Sequence, residues 1–180
     1  MSGDNATVPK RDAVDQLLVR FPGLVDLMGA VLWRMRPGSV LRRKLMALSI
    51  RRGFAAMARS DLDLVLQGYE PDVEVWMRGM SGVGIGGCYR GHEGVRALYA
   101  DVDDAFEEWS WTIRALVDGG DRLAIRADFL GVGRGSGVST TLINSGTAMR
   151  LSARGAVSRQ EWFVEPNGWR KTLEAVGLSE

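Results

Sequence analysis

Apolar residues recur at helical spacing through the first third of the chain and at every second position through most of the rest. One switch from helices to hairpin-linked strands excludes the βαβ alternation of a doubly wound parallel sheet. It leaves a segregated α+β domain, with helices packed on one face of a curved antiparallel sheet. Arg11 to Met35 reads as a helix broken at Pro22-Gly23 and ended by Pro37-Gly38. Ser39 is the expected N-cap of a long helix to about Arg59, and Asp61 caps a short one, Leu62 to Gln67, that stops at Gly68. Val73, Val75 and Met77 then alternate with Glu74, Trp76 and Arg78 as the first strand. A glycine-rich connection, Met80 to Tyr89, leads to Gly91-His92-Glu93-Gly94 and a helix expected to run to about Trp109. Strand-like segments follow at Trp109 to Val117, Leu123 to Phe129, Val138 to Leu151 and Ala156 to Glu165, with turns at Gly119-Gly120-Asp121 and Arg154-Gly155. A short helix, Arg170 to Val176, ends at Gly177.

Composition removes several classes of chemistry. At 180 residues the chain can bury a sizeable core without covalent or metal staples. Cys88 is the single cysteine and His92 the single histidine, so an internal disulfide and a zinc cluster are both excluded, and hydrolase triads could draw only on His92. No metal and no organic cofactor is expected. The polar start, and the position of Asp26 inside the first apolar stretch, argue against a secretory signal, and no uncharged apolar run approaches the roughly 18 residues that span a bilayer. A cytoplasmic location is therefore expected.

Charge is unevenly placed. Through Arg59 there are eleven basic against four acidic residues, and beyond it twelve basic against eighteen acidic. A basic front segment suits nucleic acid or anionic lipid, or alternatively packing on an acidic body, its own or a partner's. Interleaving with Leu17, Leu18, Leu24, Leu32, Leu41, Leu45 and Leu48 favours packing, so no nucleic-acid partner is expected.

Few motifs carry chemistry. Gly82, Gly84 and Gly87 satisfy GxGxxG, but the next helix starts late and the following strands are hairpin-linked, so dinucleotide binding is set aside for a loop over a cavity mouth. His92 stands at a helix start, where capping or surface roles prevail, and Cys88 has no basic neighbour. Arg126 and Asp128 flank Ala127 on one strand and share a face, a pairing that suits a general base oriented by arginine and equally an exposed ion pair. Their neighbours Leu123, Ile125, Ala127 and Phe129 form the more apolar face, ordinarily the core side, which argues mildly against a pocket position for Asp128. Phe54, Met57, Trp76, Met77, Tyr99, Trp111, Phe129, Met149 and Trp162 supply a surplus of aromatic and Met side chains. They suit an apolar pocket of about 300 Å³ or more, with Thr147 also in its lining, or a filled core.

Ala55 to Asp63, Tyr69 to Glu74, Tyr89 to Val95, Gly120 to Leu123, Gly135 to Val138 and Leu173 to Leu178 together resemble the SnoaL-like family of the nuclear-transport-factor-two-like superfamily. The resemblance covers about residues 50 to 178. It implies a cone-shaped roll, commonly dimeric, with an apolar pocket, formed here by residues 51–180 behind a basic helical extension at 1–50. The superfamily contains isomerases, cyclases, dehydratases, epoxide hydrolases and binding modules, so membership leaves the activity open. Matched to the ketosteroid isomerases, this chain has Met77 and Thr147 where they carry acid–base groups, so the proton-shuttling set is missing. Arg126-Ala127-Asp128 resembles the Arg-x-Asp of limonene-type epoxide hydrolases, with Glu161 before Trp162-Phe163 resembling their second acid, while Val75 and Met77 fall where their water-holding polar groups would stand. The resemblance thus implies one of three roles. The chain would bind a small apolar metabolite, act on an epoxide or polyketide with Asp128 as base, Arg126 as its partner and Glu161 as acid, or serve as a dimeric interaction module.

Overall fold

The computed structural model describes residues 10–178. Its elements are α1 (Ala13–Arg20), α2 (Gly23–Arg34), α3 (Val40–Ala58), α4 (Leu62–Gln67), β1 (Tyr69–Arg78), β2 (Gly87–Arg90), α5 (Gly91–Ala105), β3 (Phe106–Asp118), β4 (Arg122–Gly133), β5 (Ser139–Leu151), β6 (Val157–Phe163) and α6 (Gly168–Ala175). The α+β class and the order of helices and strands are those read from the sequence. One six-stranded sheet runs β2-β1-β6-β5-β4-β3, antiparallel throughout except where β1 and β6 pair in parallel.

The helix starts follow their capping chemistry. Asp12, Ser39 and Asp61 accept amide hydrogen bonds from Asp15, Arg42 and Leu64, at the heads of α1, α3 and α4. Three boundaries differ from expectation. β1 starts four residues early, at Tyr69, and the glycine-rich connection contains the edge strand β2. The helix expected to reach Trp109 stops at Ala105, because Phe106 turns into the sheet and packs edge-on against Phe129 at 5.2 Å. Arg134 donates to the carbonyls of Asp103 (2.6 and 2.9 Å) and Phe106 (3.3 Å), satisfying groups that a continued helix would have bonded.

The sheet has two unlike faces. Val73, Val75 and Met77 of β1, Leu123, Ile125, Ala127 and Phe129 of β4, Met149 of β5 and Trp162 of β6 join one buried cluster with α3, α4 and α5, and this is the concave, inner face. On the outer face Ala124, Ala148 and Phe163 lie under α6 with Leu173 and Val176.

The extension is built into the body. The division expected at residue 50 falls inside α3, which runs unbroken from Val40 to Ala58. Arg42, 1% exposed, donates through Nε and Nη2 to Asp118 at 2.8 and 3.0 Å, and through Nη1 to the carbonyls of Leu32 and Met35 at 3.0 Å each. One guanidinium thus caps α2 and ties α3 to the β3–β4 turn. Asp15 receives Arg52 and Arg59 at 2.7 and 2.9 Å, and Arg11 pairs with Asp61. At Gly29 of α2, any Cβ would strike the carbonyl oxygen of Arg154, and one at Gly155 would lie within 2.7 Å of the Gly29 backbone. Backbone meets backbone there, so α2 sits flush on the β5–β6 turn.

Candidate functional site

The deep cone is filled. Phe54, Trp162, Trp111, Phe129 and Phe106 form a column with successive ring centroids 5.9, 4.5, 4.8 and 5.2 Å apart. Beside it lies a polar chain that the sequence reading missed. The buried Gln160 donates to Thr147 at 3.1 Å and accepts from the Tyr69 hydroxyl. Gln160 and Thr147 alternate with outward residues on neighbouring strands, so their inward position was legible, but nothing in the sequence linked them to Tyr69. Burial raises the pKa values of Tyr69 and Tyr99 above the ordinary phenol value, keeping both neutral. The Tyr99 hydroxyl is buried with no partner among the described residues.

Open space lies at the mouth of the cone, between the extension and the sheet. A cavity of about 200 Å³ is bounded by Leu18 of α1, Val25, Leu32 and Trp33 of α2, Met46 and Ile50 of α3, and by Leu123, Met149 and Leu151 beneath. Of the residues expected to line a pocket, Phe54, Met57 and Met149 do so. Met77, Tyr99, Trp111, Phe129, Thr147 and Trp162 belong to the packed interior instead, because the extension closes the cone and the aromatic column fills it. Trp76 faces outward, between Arg78 and Arg159 at 5.3 and 5.7 Å from its ring. The cavity is smaller than the expected 300 Å³. Its lining from α1 and α2 has no local signal in the sequence, since apolar residues at helical spacing mark only a packed face and not what that face encloses.

One residue of the lining also carries an unmet polar atom. Gln67 borders the cavity, and its side-chain oxygen is buried with no hydrogen-bond partner among the described residues. Asp26 and Arg154 stand at the rim, 3.9 Å apart.

The three residues expected to carry catalysis lie elsewhere. Asp128 and Arg126 alternate with the inward Leu123, Ile125, Ala127 and Phe129, which puts both on the outer face. Asp128 pairs with Arg114 at 2.6 Å and accepts the Asn144 amide at 3.1 Å, while Arg126 lies 6.0 Å from the Trp169 ring of α6. Partial burial pushes the Asp128 pKa up, but Arg114 and the Asn144 amide outweigh it and hold the carboxyl below its usual range. Glu161 is also outward, between Arg159 at 2.8 Å and Arg78 at 3.2 Å. The strand alternation that argued against a pocket position for Asp128 thus agrees with its outward placement, away from the space a ligand would occupy. His92, in the first turn of α5, places Nε2 3.3 Å from the Tyr69 carbonyl and bonds the helix start to β1. Among the described residues no group of three or more His, Cys, Asp or Glu could hold a metal ion.

The family model of the SnoaL-like domain matches residues 50–160. The chain belongs to the SnoaL-like family. Solved structures place this SnoaL-like chain in the same fold. TerC, co-crystallised with polyporic acid, is 23% identical with a TM-score of 0.59, over 71% of this chain and 97% of its own. A nuclear-transport-factor-two-like protein of unknown function from Burkholderia pseudomallei is also 23% identical, with a TM-score of 0.60 over 73% of this chain and 96% of its own. SalBIII, described as an epoxide hydrolase/cyclase-like enzyme in pyran ring formation, is 12% identical with a TM-score of 0.54, over 67% of this chain and 91% of its own. Among curated proteins the sequence finds no match.

Proposed function

We propose that this SnoaL-like protein binds a small, mostly apolar molecule of one aromatic ring, bearing a single hydrogen-bond donor, in the capped cavity at the cone mouth. The observation that carries this reading is the cavity itself, about 200 Å³ with a mostly apolar lining, bordered by Gln67, whose buried side-chain oxygen has no partner among the described residues. An apolar cavity of about 150 Å³ is large enough to take up benzene. A phenolic hydroxyl directed at Gln67 Oε1 supplies the missing bond, which contributes about 0.5–1.5 kcal/mol net.

Binding is preferred to catalysis because the three candidate catalytic groups are directed away from this space. Ligands such as those crystallised with TerC support small-molecule binding as a use of this fold without fixing the ligand here. For the expected homodimer, the outer sheet face offers Leu130 and Ile143, 45% and 61% exposed, as the contact between two copies.

The test is calorimetric titration with p-cresol and toluene. The expected dissociation constant for p-cresol lies between about 10 µM and 1 mM. Gln67→Leu is expected to weaken p-cresol by about two- to tenfold and to leave toluene no weaker. Equal loss for both ligands would remove Gln67 from the site, and no heat from either would remove the site.

A further inference from the structure

We infer that the outward faces of α1, α2 and α3 form a docking surface for an anionic lipid bilayer. Leu18, Val25, Leu32, Trp33, Met46 and Ile50 converge from the three helices on one cavity. The other faces therefore lie on the outside of the cap. There Leu17, Phe21, Leu27, Val31, Leu41 and Leu48 are each at least 47% exposed. Side chains of this size left in water over three consecutive helices exceed the scattered apolar exposure of an ordinary surface.

Their spacing is regular. Leu27, Val31 and Arg34 recur on one side of α2, and Leu41, Lys44, Leu48 and Arg51 on one side of α3. The two short helices α1 and α2 meet at a bend of 100°, too sharp for a continuous span. Among the described residues no single helix is long and apolar enough to cross a membrane, so the geometry points to lying on a surface.

Charge selects the partner. Arg11, Arg42, Arg52 and Arg59 turn toward carboxylates of the body or of α1, as the packing reading required. Arg20, Arg34, Arg36, Arg43, Lys44 and Arg51 are exposed and have no ion-pair partner among the described residues. Between Ala13 and Ala58 the only carboxylates are Asp15, buried under Arg52 and Arg59, and Asp26, beside Arg154. Cations interleaved with long apolar side chains, and almost no competing anion, match anionic headgroups over acyl chains. This inference stands apart from the ligand cavity, since the surface binds lipid whether or not the cavity is occupied.

The experiment is co-sedimentation of the full chain with vesicles of phosphatidylcholine alone and of phosphatidylcholine mixed with phosphatidylglycerol, at low and high salt. Binding to the mixed vesicles is expected, weaker on pure phosphatidylcholine and reduced by salt. The triple variant Arg34→Ser, Lys44→Ser, Arg51→Ser alters only exposed positions on the named sides of α2 and α3 and is expected to lower partitioning about a hundredfold, roughly fivefold for each cation. Leu27→Ser with Val31→Ser is expected to weaken binding on both lipid mixtures while leaving the oligomeric state unchanged. The inference is overturned if the wild-type chain ignores mixed vesicles at low salt, or if the triple variant binds them as well as the wild type. It is equally overturned if sedimentation equilibrium shows a dimer that Leu27→Ser with Val31→Ser converts to monomer, because the face would then be covered by a second copy.

Discussion

Replacing Gly29 by alanine discriminates by sign between a seated and a loose α2. In an exposed helix interior, glycine to alanine stabilises by about 0.8–1.0 kcal/mol. In this structure the added Cβ would strike the Arg154 carbonyl oxygen and lie 3.3 Å from its carbon and 3.4 Å from Gly155 Cα, all of them backbone atoms that no side-chain rotation can clear. Overpacking of this kind costs about 1–3 kcal/mol, so the net expectation is a loss of up to about 2 kcal/mol, centred near 1. Gly155→Ala is expected to lose more, about 2–5 kcal/mol, because its φ of +78° strains an alanine as well as driving Cβ toward Gly29. The two residues share one contact, so the double variant should fall short of the sum. Urea unfolding followed by tryptophan emission measures both losses, and limited proteolysis reports release of the N-terminal helices. A gain of about 1 kcal/mol for Gly29→Ala would mean instead that α2 does not rest on the β5–β6 turn.

Four further outcomes follow from the same geometry. Arg42→Leu leaves Asp118 buried and unpaired and is expected to cost about 3–5 kcal/mol in urea unfolding, only part of it recovered by Arg42→Met with Asp118→Leu, because the Leu32 and Met35 carbonyls still lose their donor. Hydrogen bonds from Arg11 and Arg154 hold Asp61 and Glu70 below the usual carboxylate range, so their stabilisation is present above about pH 4 and is lost as the pH falls through the lower folded values. Proteolytic release of the N-terminal segment should therefore rise on acidification below that point, and less steeply in Asp61→Asn. Asp128→Asn breaks a pair whose arginine is 52% exposed and should cost no more than about 1 kcal/mol, with p-cresol binding unchanged by calorimetry. Met46→Trp fills the cavity and should abolish p-cresol binding while near-ultraviolet circular dichroism still reports a packed core.

The change of period near residue 70 carried most of the fold, because burial on one face forces alternation along a strand. Ser39 and Asp61 announced two helix starts through their side-chain oxygens. For the site, local alternation proved a better guide than motif resemblance. Leu123, Ile125, Ala127 and Phe129 already marked the inner side of β4, and Arg126 and Asp128 had to point the other way. The cavity was hidden for a different reason. Its walls join Leu18 and Leu32 to Met149 and Leu151, more than 100 positions apart, and the closure depends on Gly29 meeting Gly155. Neither contact has a local signature, since a glycine inside a helix reads only as a weakened helix. The end of α5 was misplaced because Phe106 fits the apolar face of a helix as well as that of a strand, and only its packing on Phe129 decides between them.

A crystal structure of the protein soaked with p-cresol decides whether the capped cavity takes a small phenolic ligand. The expected density shows the ring enclosed between Leu32, Met46 and Met149, with the hydroxyl within hydrogen-bond distance of Gln67 Oε1 and α2 still seated on Gly155. A ring inserted instead among Trp111, Phe129 and Trp162, or an empty cavity beside a saturated outer-face site at Asp128, would contradict it.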